Sequence, residues 1–175
     1  LGSVLDYDGS SASRMRQRVA KKYDSGDIDS EDIGHLGKLI DDQSVEAHPN
    51  TLLDITDSGG DLSQTRRAVN AEEDVKGLDS DAVWLEEGND AAGFKHILER
   101  HGKSDEFYDM TGVDSPENIE DVVMTTVDEG KAYRIPDADG GGTAFEYTRN
   151  TGEDVTVIVG DNGYIVSARP GVYNK

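Results

Sequence analysis

The sequence predicts an α+β protein in which a helical N-terminal region is followed by two helices packed on a four-stranded antiparallel meander. Three observations carry that expectation. Ile33, Leu36, Leu39 and Ile40 recur at i, i+3, i+6 and i+7, one face of a helix, in a first half built of short amphipathic stretches. Ser115-Pro116-Glu117 places a capping serine and a proline at the first helical position ahead of the stripe Ile119, Val122, Val123, Thr126 and Val127. From Lys131 the apolar period falls to two, and Asp161-Asn162-Gly163 marks a hairpin, because Asn-Gly readily takes the positive φ of a tight turn.

In chain order, Ser11–Tyr23 reads as a helix with Met15, Val19 and Tyr23 on one side and Arg14, Arg16, Arg18, Lys21 and Lys22 around them. Cations at nearly every other position read as a solvated face. The second helix starts near Ser30, where Glu31 and Asp32 suit the positive end of the helix dipole. Leu52–Ile55 and Leu62–Val69 extend the helical reading on either side of the breaker Ser58-Gly59-Gly60, so this half is expected to hold helices and no strands. Residues 1–80 are assigned to this helical region, with a delivery, tethering or partner-binding role, and residues 81–175 to a second domain whose start Trp84 anchors. There the strands read as Lys131–Ile135, Thr143–Arg149, Asp154–Gly160 and Tyr164–Arg169, with a second turn at Asn150-Thr151-Gly152. Val155, Val157 and Val159 alternate inward, which leaves one sheet face available for a site. Asp137–Gly142 lacks the third oxygen ligand and the final glutamate of a calcium loop, and reads as a flexible hairpin loop.

The 175 residues carry 37 acidic against 17 basic side chains, a net charge of −20, with 24 aspartates spread along the whole chain. A uniformly Asp-rich surface is that of a halophilic protein, since at molar salt the Debye length falls to about 3 Å and self-repulsion is screened. The same charge also suits an acidic protein that binds a basic partner. With 34% hydrophobic residues the core is lean for the length. The absence of cysteine removes disulfides, thiolate metal sites and cysteine nucleophiles. No apolar run approaches the roughly 18 residues of a membrane span, so a soluble chain is expected. The chain begins at Leu1, as expected of a piece of a longer protein.

Acid–base chemistry is best placed at Gly93–Gly102, GFKHILERHG, which holds two of the four histidines beside Lys95, Glu99 and Arg100. Imidazole is the one side chain whose unperturbed pKa lies near neutrality. On an α-helix His96 and His101 stand about 140° apart, so they share no face and do not form the paired zinc ligands of H-E-x-x-H. His101 continues the stripe Phe94, Ile97 and Leu98 and belongs at the core edge, whereas His96 points toward Ala92 and Arg100. His35 and His48 have no partners in sequence and read as incidental.

With the following helix and a meander ending in GYIVSARPGVY, this segment resembles the small metal-independent ribonuclease fold shared by barnase, EndoU, the tRNA-cleaving colicins and RelE. It is most similar to the branch found as C-terminal toxin domains and phage-borne nucleases. The first helix of that branch, G-x-x-H-I-x-x-x-H, is matched by Gly93, His96, Ile97 and His101, and the last strand, an apolar run ending in Thr or Ser, by Ile165, Val166 and Ser167. The resemblance spans about Asp81–Lys175. It implies RNA cleavage by attack of the ribose 2′-OH on the adjacent phosphorus, with no cofactor or metal. His101 and His96 become the acid and base, Arg100 and Lys95 meet phosphate, and Ser167 and Arg169 donate to it. Tyr147 and Thr148 are the further substrate-binding candidates. A cognate immunity or inhibitor protein, and action in a target cytoplasm after export or phage delivery, follow from the same resemblance. The rival reading is a non-enzymatic, acidic, immunity-type protein with a structural histidine helix.

Overall fold

The computed structural model describes residues 12–41, 47–71, 75, 77–102 and 106–173. Ser11, the expected helix start, lies outside them. Three helices come first: α1 (Ala12–Ser25), α2 (Ser30–Asp41) and α3 (Pro49–Asp57). Their apolar stripes meet in a first core containing Met15, Val19, Ile33, Leu36, Leu39, Leu52, Leu53 and Ile55. Tyr23 stands outside it, 49% exposed.

The basic run on α1 is only partly a solvated face. Arg18 donates to the Asn50 carbonyl at 2.8 Å and to the carboxylates of Asp54 and Asp57, and the buried Lys22 also reaches Asp57. A lysine this buried needs an acid beside it, so these pairs pin α1 to α3. The other histidines are not incidental either. His48 Nδ1 accepts from the Asn50 amide at 3.1 Å and caps α3 ahead of Pro49, and His35 Nε2 lies 2.6 Å from the Thr65 carbonyl.

Leu62–Val69 is not a helix. A single 3₁₀ turn, Leu62–Gln64, leads into strand β1 (Thr65–Asn70), which pairs antiparallel with β2 (Ala82–Glu86), so the first half is not strand-free. The reason is two-sided burial. Ala68, Ala82 and Trp84 enter the first core, whereas Val69, Val83 and Leu85 point the opposite way into a second. A strand with apolar neighbours on both faces satisfies both directions, and a one-faced helix does not. Trp84, fully buried, therefore belongs to the core of the first half, and its indole N–H donates to Glu86 at 3.1 Å.

The second core lies beneath a four-stranded antiparallel sheet in the order β3 (Lys131–Arg134), β4 (Thr143–Thr148), β5 (Asp154–Val159) and β6 (Ile165–Pro170), the expected meander. Phe145, Val155, Val157, Val159, Ile165 and Ala168 face inward. Helix α5 (Pro116–Glu129) covers them with Ile119, Val123, Met124 and Val127, and its cap is as expected, Ser115 Oγ accepting from the Asn118 amide at 3.2 Å. The expected histidine helix is a single α turn, α4 (Phe94–Ile97), that continues as a π-helical turn over Leu98–Gly102. The paired strands touch the meander where the Trp84 amide donates to the Gly163 carbonyl at 3.0 Å.

Two outcomes follow from this packing. Gly163 has φ +98°, and a Cβ there would overlap the Ala82 carbonyl and lie 2.7 Å from the Trp84 ring. Gly163→Ala therefore combines backbone strain with overpacking and is expected to lower stability by about 2–5 kcal/mol, read from urea unfolding at fixed salt. The hydrogen bond from Lys22, followed by that from Arg18, holds the Asp57 carboxyl below its ordinary 3.8. A depressed acid stabilises the fold above its unfolded pKa and loses that contribution as pH falls through the folded value. Melting temperatures of Asp57→Asn should accordingly approach those of wild type as pH drops below about 4, and diverge most at neutral pH.

Candidate active site

The histidine segment is fixed at three points before its imidazoles are considered. The Gly93 amide donates to the Val166 carbonyl on β6 at 3.0 Å, and the Lys95 amide to the Glu87 carbonyl at 2.9 Å. Gly93 is required there, since at φ +85° a Cβ would lie 2.8 Å from both the Gly88 Cα and the Tyr164 hydroxyl. The third point comes from β1. The Arg66 guanidinium stacks over the Phe94 ring at 4.2 Å while donating to Glu120 at 2.5 Å and to Glu87 at 2.7 Å. Arg66 sits at the irregularity in the β1–β2 register. Beside it, Arg67 pairs with Asp121 at 2.6 Å.

Phe94 and Ile97 are buried in the second core with Leu98 packed against it, which leaves Lys95, Glu99 and Arg100 exposed and the two imidazoles half-buried. His96 Nδ1 lies 2.8 Å from the Asp90 carbonyl, and the Lys95 ammonium 2.7 Å from the Asp90 carboxylate. That hydrogen bond holds the Asp90 carboxyl below its ordinary range and the Lys95 ammonium above its own, so Lys95 is a cation already engaged by an acid. Arg100 is exposed on the π turn. π turns recur at functional sites and close i→i+5 hydrogen bonds, so they bring a residue five positions on nearer to the same azimuth than an α-helix does. His101 lies within the π turn and His96 in the α turn before it.

His101 is the most defined of these groups. Its Nδ1 lies 2.7 Å from Glu106 Oε2, with the imidazole 22% and the carboxylate 48% exposed. With Nδ1–H donating to the carboxylate, Nε2 carries the lone pair of the neutral ring, the arrangement of an oriented general base. Phe107 accounts for the placement of Glu106. It is fully buried, and its amide donates to the His101 carbonyl at 3.0 Å, which returns the chain to the end of the π turn. Sequence reasoning missed Glu106. The available signal was Phe107, an apolar residue next to an acid in a polar run of sequence.

Ser167 and Arg169 belong to the other face of the sheet. Ala168, between them, points into the core, so their side chains point away from it, opposite Ile158 and Thr156 of β5. The segment thus lies against the strand that carries both residues, yet among the described residues no hydrogen bond or ion pair joins either histidine to Ser167 or Arg169. Tyr147 shares the inward-facing side of β4 with Phe145, and the hydrogen bond with Glu129, followed by burial, raises its phenol pKa. Thr148 donates to Asp154 at 2.6 Å. Both are placed apart from the histidine segment. Among the described residues no three His, Asp or Glu side chains converge on a metal position. In the Asp137–Gly142 loop, Asp137 is bound to Arg134 at 2.8 Å.

No family model matches the chain, and no curated protein matches it at a significant level.

Arg66→Ala removes a guanidinium that is 28% exposed and leaves Glu120, 13% exposed, without its main partner. The variant should lose about 2–4 kcal/mol of stability. Hydrogen exchange at the Lys95 amide should accelerate more than at amides of β5, which would locate the loss at the histidine segment.

Proposed function

We propose that this chain is a metal-independent endoribonuclease of the toxin or effector type. The observation that carries the reading is the His101 imidazole, held through Nδ1 by Glu106 at 2.7 Å, on a segment bound to the edge strand that bears Ser167 and Arg169. In this reading His101 Nε2 takes the proton of a ribose 2′-OH, and the oxygen attacks the adjacent phosphorus. The P–O5′ bond breaks, and protonated His96, held through Nδ1 by the Asp90 carbonyl, delivers a proton to the departing 5′ oxygen. The products are a 2′,3′-cyclic phosphate and a 5′-hydroxyl. RNA laid across the edge of β6 has the histidine segment on one side and Ser167 and Arg169 on the other, where a hydroxyl and a guanidinium meet the non-bridging oxygens as charge builds on them. Arg100 is the further phosphate contact. Lys95, paired with Asp90, serves once RNA phosphate competes for it.

The acidic surface fits action at molar salt, where RNA repulsion is screened, and a basic cognate inhibitor. No helix of the described residues is long and apolar enough to cross a membrane. Delivery into a target cytoplasm from a longer exported or phage-borne protein is part of the same proposal. The net charge of −20 also favours a second reading, an acidic immunity-type protein for a basic partner.

Incubation with total RNA and tRNA in molar KCl with EDTA separates the two. The expected result is discrete fragments ending in 2′,3′-cyclic phosphate, with the rate reduced about 10²–10⁴-fold in His101→Ala. A folded wild type that leaves RNA intact, or undiminished cleavage by His101→Ala combined with His96→Ala, overturns the nuclease reading. Tight inhibition of an added basic nuclease supports the second.

A further inference from the structure

The outer face of the meander carries a cleft of about 920 Å³, large enough for a nucleotide, that the acid–base chemistry above does not use. Its wall is aromatic, with the Tyr133 and Tyr173 rings stacked at 6.2 Å and 30°. Tyr173 is brought there by the C-terminal residues, which turn back across the sheet. Gly171 accepts from Thr156 Oγ1 at 2.8 Å and the Tyr173 amide donates to Glu146 at 2.8 Å. The floor is apolar, formed by Ile158 and Val166. The rim holds Asp139, Asp161 and Arg134, but Arg134 is already bound by Asp137 and Asp161. On the rim itself carboxylates outnumber cations, the Lys131 ammonium standing over the Tyr133 ring 5.3 Å from its centroid, and the exposed Asp139 carboxylate has no partner among the described residues.

The rim carboxylates disfavour phosphate beside them. The cleft suits a flat, π-stacking group with N–H donors on its edge. Ile158, in the floor, pairs across the strands with Ser167, and Arg169 follows two residues further on the same face, about 7 Å along the strand at a rise of ~3.3 Å per residue. That separation is of the order of one nucleotide of extended single-stranded RNA. We propose that the cleft binds an amine-bearing nucleobase, adenine, cytosine or guanine, of a single-stranded RNA whose phosphates pass Ser167 and Arg169. The proposal rests on the nuclease reading for its ligand class and adds the base-recognition element.

The test uses the full wild-type chain in molar KCl and four 5′-mononucleotides, which have no internucleotide bond to cleave, with ribose 5-phosphate as the control without a base. Carbon-13-labelled tyrosine and isoleucine report binding. Expected are saturable shifts of Tyr133, Tyr173 and Ile158 with AMP, CMP and GMP, weaker ones with UMP and none with ribose 5-phosphate. Tyr173→Ala should weaken binding about tenfold, the usual scale for losing a base–aromatic stack. Asp139→Asn, at an exposed position that leaves the fold intact, should narrow the preference for amine-bearing bases over UMP. Equal shifts with ribose 5-phosphate, silence at millimolar nucleotide, or full affinity in Tyr173→Ala overturn the proposal. Cleavage of RNA with a silent cleft overturns the cleft and leaves the nuclease standing, whereas nucleotide binding without cleavage does the reverse.

Discussion

Two-sided burial of the β1–β2 pair is the constraint on which the rest of the structure depends. Ala68 and Trp84 face one core, and Val69, Val83 and Leu85 face the other. Four consecutive residues of β2, Ala82–Leu85, are each at most 1% exposed. Neither core closes without this shared wall. The boundary near residue 80 runs between the paired strands, which couples the helical region to the sheet that follows it. The N-terminal half is therefore more than an attached segment, because it supplies Arg66 to the histidine segment.

Charge is arranged by the same logic. A chain with 17 basic residues against 37 acidic ones has few cations to spare, and the structure spends many of them on fixed pairs. Arg18 and Lys22 tie α1 to α3, Arg66 and Arg67 tie β1 to α5, Arg134 ties two loops of the meander, and Arg149 closes its hairpin on Glu153. The more buried of these, such as Arg66–Glu120 and Arg149–Glu153, keep their attraction at high salt better than the exposed ones, since screening acts through solvent. Lys95 belongs to the same economy, being held by Asp90. Arg169 is exposed on the outer sheet face.

The histidine segment shows how burial creates a directed polar group. Phe94, Ile97 and Phe107 are apolar anchors at its start, middle and return, and they leave the imidazoles at the surface with defined partners. A carboxylate beside Nδ1 favours the tautomer that carries its proton there and orients the ring. The difference between the two faces of β6 is a second consequence of alternation. One face contributes to the core that seats the segment, and the other presents Ser167 and Arg169.

Local pattern alone determined much of this protein. The 3.6-residue stripe at Ile33–Leu39, the Ser115-Pro116 cap, the period-two valines and the Asn162-Gly163 turn each encode an element through nearest-neighbour sterics and one-sided burial, and the helices and the meander follow from them. GFKHILERHG was legible as a histidine-rich segment, and Ser167 and Arg169 as neighbours on one strand face. Only tertiary structure decided the strands β1 and β2, because residues buried on both faces lose the periodicity that reveals a strand. The same holds for the roles of His35, His48 and Lys22, and for the partner of His101. Glu106 reaches that imidazole through the burial of Phe107 and a return of the chain, a contact fixed by packing that no spacing in the sequence encodes.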